Sequence, residues 1–197
     1  MTTPTRAKTQ PVQVMAREPD PRTDTDLVEA GNRGDSRALG TLYLRHRDWV
    51  YSLALRFTRD RDEALDVMQE AFLYLFGKFP GLRLTARITT LLYPAVKNIA
   101  LARARKQRDR AQGGDDPGPD TLAGRSRTYD PEAQYQLAAA VAALPDGQRE
   151  VVLMRIVDDM AVAEIALALS IPEGTVKSRL HHALAALRQD PRAKRHF

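Results

Sequence analysis

Apolar residues recur every three or four positions along most of the chain, and this spacing predicts an all-α protein. A first block, 23–110, holds four predicted helices. Asp24 or Thr25 is placed to cap the start of the first helix, and Gly34 is placed to end it. Asp35 and Asp60 are placed to cap the second and third. The predicted inward positions of the last three helices are Leu39, Leu42, His46, Val50, Leu53 and Phe57, then Leu65, Met68, Phe72, Leu75 and Phe76, then Leu91, Leu92, Val96, Ile99 and Leu101.

A second helical block is predicted over 130–190. Its four helices span about 131–143, 146–157, 161–169 and 173–189. Because Ala161 cannot accept a capping bond, we expect the third of these helices to fray at its start or to be capped by Asp159. The two blocks therefore predict two small helical domains.

The segments outside the blocks are polar. Residues 111–129 are rich in Gly, Asp and Pro, a composition typical of a flexible linker. Residues 1–22 are expected to be a disordered tail without the apolar core of a secretory signal, and 191–197 a basic tail. No apolar run approaches the roughly 20 residues that span a bilayer, so no membrane insertion is expected.

Composition narrows the function classes. The net charge is +5 and the pI about 9.7, which suits a polyanionic partner. The absence of cysteine excludes disulfides and thiolate zinc sites and favours a cytoplasmic protein. The acidic pairs 115–116 and 158–159 have no base, metal ligand or nucleophile at useful spacing. We therefore expect no enzyme activity, no cofactor and no metal.

The last predicted helix has the pattern of a DNA-reading helix. Pro172 can begin a helix at no cost in hydrogen bonds, and a short helix ends just before it at Ser170-Ile171. Lys177, Ser178, His181 and His182 share a face that carries donors and no carboxylate. Two short helices with such a second helix predict a helix-turn-helix. From these residues alone, a helical hairpin with a solvated basic side is about as good an interpretation.

Two further surfaces carry charge. Asp66, Gln69 and Glu70 form an acidic patch on the third helix, which by itself is more simply a solvated face. The end of the fourth helix holds six cations and one acid, more than the helix macrodipole requires, and this favours phosphate binding. Those cations are Lys97, Arg103, Arg105, Lys106, Arg108 and Arg110.

Three motifs resemble those of a known family. They are Asp-Val-Met-Gln-Glu-Ala-Phe at 66–72, Ala-Leu-Pro at 143–145 followed by Gln-Arg-Glu-Val-Val at 148–152, and Ile-Pro-Glu-Gly-Thr-Val-Lys-Ser-Arg-Leu at 171–180. In this order, around a linker, they are similar to bacterial sigma factors of the two-domain extracytoplasmic-function (ECF) type. The likeness covers about 24–110 and 131–189.

The resemblance implies a non-enzymatic subunit that binds core RNA polymerase and directs initiation at promoter DNA. It implies that 23–110 is sigma domain 2, which binds core polymerase and the −10 element, and 130–190 is sigma domain 4, which binds the −35 element. An anti-sigma factor wedged between the domains is the implied regulator. Carried over by position, the core-binding residues are Asp66, Gln69 and Glu70; the −10 residues are Phe79, Arg83, Arg87, Lys97, Asn98, Arg103, Arg105 and Lys106; the −35 residues are Thr175, Lys177, Ser178, Arg179, His181 and His182.

The chain departs from the family pattern near the −10 region. Leu84 replaces a common glycine, Leu91 a usual tryptophan, and Pro94 a frequent arginine. Two alternatives therefore stay open at this point. One is a sigma-like interaction module that does not open promoters, and the other is a helix-turn-helix regulator that acts alone as a dimer.

Overall fold

A computed structural model describes residues 20–110 and 131–194 of the chain, with side chains at 20–107 and 135–194. Every regular element in these ranges is an α-helix, which confirms the predicted all-α fold. The expected linker at 111–129 and nearly all of the expected N-terminal tail lie outside the described residues. The helices are α1 (Asp24–Asn32), α2 (Ser36–Thr58), α3 (Arg61–Phe76), α4 (Ile88–Arg110), α5 (Pro131–Ala142), α6 (Asp146–Ile156), α7 (Val162–Leu169) and α8 (Glu173–Gln189).

Side-chain caps fix where α2 and α3 begin, as predicted. The carboxylates of Asp35 and Asp60 each accept two first-turn backbone N–H bonds, at 2.9–3.2 Å. These bonds satisfy donors that have no partner inside the helix. At α1 the predicted cap, Asp24 or Thr25, is wrong by one or two positions, because the N-cap is Thr23, in a capping box with Asp26.

The start of α7 also differs from the prediction. The Glu164 carboxylate reaches back one turn and accepts the N–H of Ala161 at 2.7 Å. Asp159 does not cap this helix; its carboxylate lies 3.9 Å from Arg155 instead. An acid at the third helical position thus binds the backbone N–H of the N-cap residue, which is one half of a capping box, while Ala161 offers no side-chain oxygen to the first-turn N–H groups.

α1 to α4 form the N-terminal domain, whose buried side chains include Leu42, Leu53, Phe72 and Leu92. Two predicted core positions are wrong: Leu65 on α3 and Leu101 on α4 are each 42% exposed. On α3 the inward row holds small residues beside the large ones, which lets the helix approach its neighbours closely and turns Leu65 outward. That buried row is Ala64, Val67, Met68, Ala71, Phe72 and Leu75.

α5 to α8 form the C-terminal domain, with Met154, Ile165 and Val176 fully buried. Ala193 is also fully buried, so part of the expected basic tail at 191–197 packs on this domain. At the other end of the chain, the Arg22 guanidinium lies 3.2 Å from the Asp35 carboxylate. The last residues of the expected N-terminal tail are therefore attached to the N-terminal domain.

The two domains also pack on each other. α4 contacts α7, and Val151, Met154 and Ile165 belong to the same buried cluster as Leu53 and Leu92. The sequence analysis did not predict this contact. Since periodicity describes one helix at a time, it identifies a buried face without identifying the partner of that face.

Candidate nucleic-acid and protein interfaces

The outer face of α3 presents the predicted acidic patch. Asp66, Gln69 and Glu70 are all exposed, with 55% and 53% of the Asp66 and Glu70 side chains accessible. Leu73, one turn further on, is 71% exposed. Three polar groups and an apolar side chain thus share one open helix face.

Arg103 of α4 lies against this patch. Its guanidinium donates to Glu63 at 2.8 Å and to Asp66 at 2.6 Å, and lies 3.6 Å from Glu70. The bond to Glu63 raises the pKa of Arg103 above its usual value; burial opposes this rise, and the charges of Glu63, Asp66 and Glu70 add to it. A residue predicted to bind DNA is therefore held by the residues predicted to bind protein.

The loop 77–87 between α3 and α4 is held by Asn32. The Asn32 amide donates to the carbonyl of Leu82 at 2.8 Å, and its oxygen accepts the N–H groups of Gly81 at 2.8 Å and Leu82 at 3.2 Å. Sequence analysis missed Asn32, since it lies 50 residues away from the loop. Phe79 is half-buried with its ring against Gly31, whereas Arg83 is exposed.

The predicted −10 residues on α4 and at the end of the loop before it divide into two groups. Asn98, Arg105 and Lys106 are exposed. Lys97 donates to the Glu150 carboxylate of α6 at 2.5 Å, and Arg87 donates to the backbone carbonyl of Asp159 at 2.9 Å. Two of the predicted DNA contacts are therefore engaged by the C-terminal domain.

Asp158, just after α6, is the centre of the contact between domains. Its side chain is 1% exposed and accepts from Arg56 at 2.6 and 2.7 Å and from the indole of Trp49 at 2.9 Å. The sequence identifies Asp158 only as one half of an acidic pair with Asp159. Its partners lie more than a hundred residues away, so no local pattern could have identified them.

Glu150 makes the second polar contact between the domains. Besides Lys97, it accepts from the Tyr93 hydroxyl at 3.1 Å. Burial raises the pKa of the Tyr93 phenol well above its usual value, and the Glu150 carboxylate raises it further. The phenol consequently stays protonated and remains a donor at any physiological pH.

α7, the turn at 170–172 and α8 form the predicted helix-turn-helix. Ser170 takes a left-handed conformation (φ 54°) that ends α7 and turns the chain toward α8. On α8, Val176, Ala183 and Leu187 are buried. The opposite face is open, with Lys177, Ser178, His181 and His182 all exposed.

The remaining two predicted −35 residues are less accessible. Thr175 is half-buried, and Arg179 is half-buried with its guanidinium against Gly147 at the start of α6. Lys177 lies 3.4 Å from Glu173 in an exposed pair, an interaction weak enough to give way to a better partner.

Within 20–110 and 131–194, no three His, Cys, Asp or Glu side chains are grouped so that they could hold a metal ion. In the same ranges, no helix is long and apolar enough to cross a membrane.

Two solved structures share this fold, and one of them is described as a sigma factor. The structure of CnrH in complex with the cytosolic domain of CnrY aligns with a TM-score of 0.58 at 20% identity, covering 83% of this chain and 93% of that chain. The sigma factor RpoE in complex with the anti-sigma factor NepR from Bartonella quintana aligns with a TM-score of 0.61 at 19% identity, covering 76% and 94%. At these identities the likeness concerns the fold.

Sequence comparison goes further. The family models for sigma-70 region 2 and sigma-70 region 4 match residues 42–110 and 134–187. The RNA polymerase sigma-H factor of Pseudomonas aeruginosa is 30% identical over 176 residues, which cover 83% of this chain and 91% of that protein. The ECF RNA polymerase sigma factor SigM of Mycobacterium tuberculosis is 30% identical over 166 residues, covering 84% and 83%. The chain therefore belongs to the sigma-70 family of RNA polymerase sigma factors, among its ECF members.

Proposed function

We propose that this chain is a sigma factor that binds core RNA polymerase and directs promoter-specific transcription initiation. The observation that carries the proposal is the open α8 face, where four exposed donor side chains lie together and the Glu173 carboxylate lies 3.4 Å from one of them, Lys177, in a chain that also presents the α3 patch. Its family consists of transcription factors rather than enzymes. We place its action in the cytoplasm, with the polymerase and the template.

The α3 patch is the proposed contact with core polymerase. Asp66, Gln69 and Glu70 are exposed on one helical face, and Leu73 extends that face with apolar area. Carboxylates at such a site favour a basic partner surface and fix its register. The leucine adds apolar surface that is buried on binding.

α8 is the proposed reader of the −35 element. Lys177 can donate to the two acceptors of guanine in the major groove, and Ser178, His181 or His182 can donate to bases or phosphates. Since Arg179 is half-buried against Gly147, we assign to it the placement of α8 on α6 rather than base recognition. Thr175 lies at the end of α8 that enters the groove first.

The loop 77–87 and α4 are the proposed −10 surface. Arg83, Asn98, Arg105 and Lys106 are exposed and suit contacts to phosphates. Phe79 is half-buried, and a base would stack on the exposed part of its ring. Arg87, Lys97 and Arg103 complete the surface only after their present partners release them.

An anti-sigma factor is the proposed regulator. RpoE, whose fold this chain shares, was solved in complex with the anti-sigma factor NepR. We expect a protein of that kind to contact both domains of this chain and to block its access to polymerase.

Three binding measurements with purified components distinguish this function from the alternatives: the chain with core polymerase, the chain with free promoter DNA, and the complex of chain and core with promoter or scrambled DNA. A sigma factor should bind core polymerase tightly and bind free promoter DNA weakly. A helix-turn-helix regulator acting alone would shift promoter DNA without polymerase and would not bind core. A module that only occupies polymerase would bind core but give the complex no preference for promoter DNA over scrambled DNA of equal length.

A further inference from the structure

The last two residues of α1, Gly31 and Asn32, contact the loop 77–87, which carries the proposed −10 residues Phe79 and Arg83. From these contacts we infer that Asn32 is a positioning residue for −10 recognition: it fixes the loop in the conformation that reads the element, without itself touching DNA. The inference rests on the proposed function in naming the −10 element as the ligand. The attachment of the loop to Asn32 is a property of this chain alone and can be measured without polymerase or DNA.

The side-chain amide of Asn32 fixes the middle of the loop. It donates to the carbonyl of Leu82 at 2.8 Å and accepts the N–H groups of Gly81 at 2.8 Å and Leu82 at 3.2 Å, so one side chain satisfies three backbone groups. Leu82 is itself buried, which adds packing at the same point. Phe79 and Arg83 lie within two residues of these bonds, so the bonds determine where both residues leave the loop.

Gly31 lets α1 approach the ring of Phe79 closely. A Cβ atom added at Gly31 would lie 2.8 Å from Cε1 of Phe79 and 2.7 Å from Cδ2 of Leu39. Carbon atoms in favourable contact lie about 3.5–4.0 Å apart, so any larger residue at this position would displace the ring. α1 therefore meets the loop at two consecutive residues, one against a side chain and one against the backbone.

The other end of α1 is fixed to α2. The Asp24 carboxylate accepts from Arg45 at 2.7 Å and lies 2.8 Å from the ring nitrogen Nε2 of His46. Between the two ends, Leu27 and Val28 are buried in the domain core. Because α1 is held along its length, the bonds from Asn32 connect the loop to the packed part of the domain.

A loop that is ordered before DNA arrives has an advantage in both affinity and selectivity. Ordering a mobile segment on binding costs conformational entropy, and preorganisation removes that cost. A fixed loop also fits an incorrect base less well, because it does not rearrange around it. Bonds that served only to stabilise the fold would affect binding to all sequences alike. Discrimination among −10 sequences therefore distinguishes a positioning role from a merely structural one.

The first measurement is hydrogen exchange of the Gly81 and Leu82 amides, by NMR, in the free full-length chain. Asn32→Ala should speed this exchange at least about tenfold, because both N–H groups lose their acceptor. The matched control is Asp24→Asn, which removes the bonds at the opposite end of α1 and leaves those of Asn32 in place. In the control both amides should exchange as in wild type.

The second measurement uses the chain in complex with core polymerase. The probes are single-stranded oligonucleotides with the −10 element found by sequencing the DNA recovered with the tagged protein, and versions of it with one base changed. Asn32→Ala should bind the selected sequence roughly fivefold more weakly and should discriminate against changed bases at least about threefold less well. Gly31→Ala should act in the same direction by displacing Phe79. Asp24→Asn should discriminate as wild type does, and −35 discrimination should stay unchanged in every variant.

Far-UV circular dichroism at the wild-type level confirms that the variants are folded. Wild-type exchange of Gly81 and Leu82 in folded Asn32→Ala would overturn the inference. Faster exchange with unchanged −10 discrimination, or an equal loss of discrimination in Asp24→Asn, would overturn it as well, since Asn32 would then only stabilise the fold. A wild-type complex without any −10 preference, together with faster exchange in Asn32→Ala, would refute the proposed function and leave the attachment of the loop standing.

Discussion

The guanidinium of Arg103 and the carboxylate of Asp66 lie 2.6 Å apart, although 37 residues separate them in the chain. The pair joins the helix face proposed to bind polymerase to the helix proposed to bind −10 DNA. A substitution on either side therefore changes the charge of both surfaces, and experiments on one of them need a readout for the other.

Reversing the charges of the α3 patch should abolish binding to core polymerase. Asp66→Lys with Glu70→Lys replaces attraction by repulsion at a close interface and should cost several kcal/mol of binding free energy. Folding should survive because the buried row of α3 is untouched. Titration of labelled protein with core polymerase gives the affinity.

The control for this variant carries the same charge change elsewhere. Asp48→Lys with Asp146→Lys alters two carboxylates that are 89% and 97% exposed, outside the patch. It should bind core as wild type does. Wild-type affinity of the patch variant, or equal loss in the control, would refute the assignment of α3.

Lys177 and Arg179 should differ in what they do to promoter choice. Lys177→Ala should lose about 1–3 kcal/mol at the preferred promoter and relax discrimination at one or two base pairs of the −35 element. Arg179→Ala should lower transcription from all promoters by one common factor, because Arg179 packs α8 onto α6. Transcription of a −35 mutation series at saturating core measures both. If Lys177→Ala lowers transcription from every −35 sequence by the same factor, Lys177 contacts only the DNA backbone and does not read a base.

Asn32 should stabilise the N-terminal domain through the loop 77–87. Asn32→Ala deletes three hydrogen bonds to that loop and should lower the free energy of unfolding by about 1–3 kcal/mol. Asn98→Ala is the matched control, since Asn98 is exposed on α4 and should change stability by less than about 0.5 kcal/mol. Urea unfolding of both variants shows whether the Asn32 hydrogen bonds stabilise the domain. Equal unfolding midpoints for the two variants would show that they do not.

Asp24 should make the stability of the N-terminal domain depend on pH in the acid range. Burial alone would raise the pKa of Asp24, but bonds from His46 at 2.8 Å and Arg45 at 2.7 Å outweigh it and lower the pKa below 3.8. A carboxyl with a lowered folded-state pKa stabilises the fold above 3.8, and this contribution is lost as the pH falls toward the folded-state value. Asp24→Asn should therefore melt below wild type at neutral pH.

The gap between the two melting temperatures should narrow as the pH drops below 3.8. Asp48→Asn, at a carboxylate that is 89% exposed, should show no such gap at any pH. A constant gap for Asp24→Asn across the acid range would mean that the ion pair is not its cause.

The sequence predicts the helices of this protein better than their assembly. Asp35 and Asp60 are recognisable from neighbouring residues alone, because capping is a local interaction. The α8 face is likewise a matter of helical spacing. The roles of Asn32 and Asp158 depend on partners 49 or more residues away, and no local pattern specifies such partners.

Run-off transcription with purified core polymerase tests the central claim most directly. The template should carry a −10 and a −35 element selected by sequencing the DNA that is recovered with the tagged protein. We expect a discrete transcript that requires this chain, is lost with Asp66→Lys and Glu70→Lys together, and disappears when the −35 element is scrambled. Binding to core without any such transcript, or a transcript that is indifferent to the −35 sequence, would contradict it.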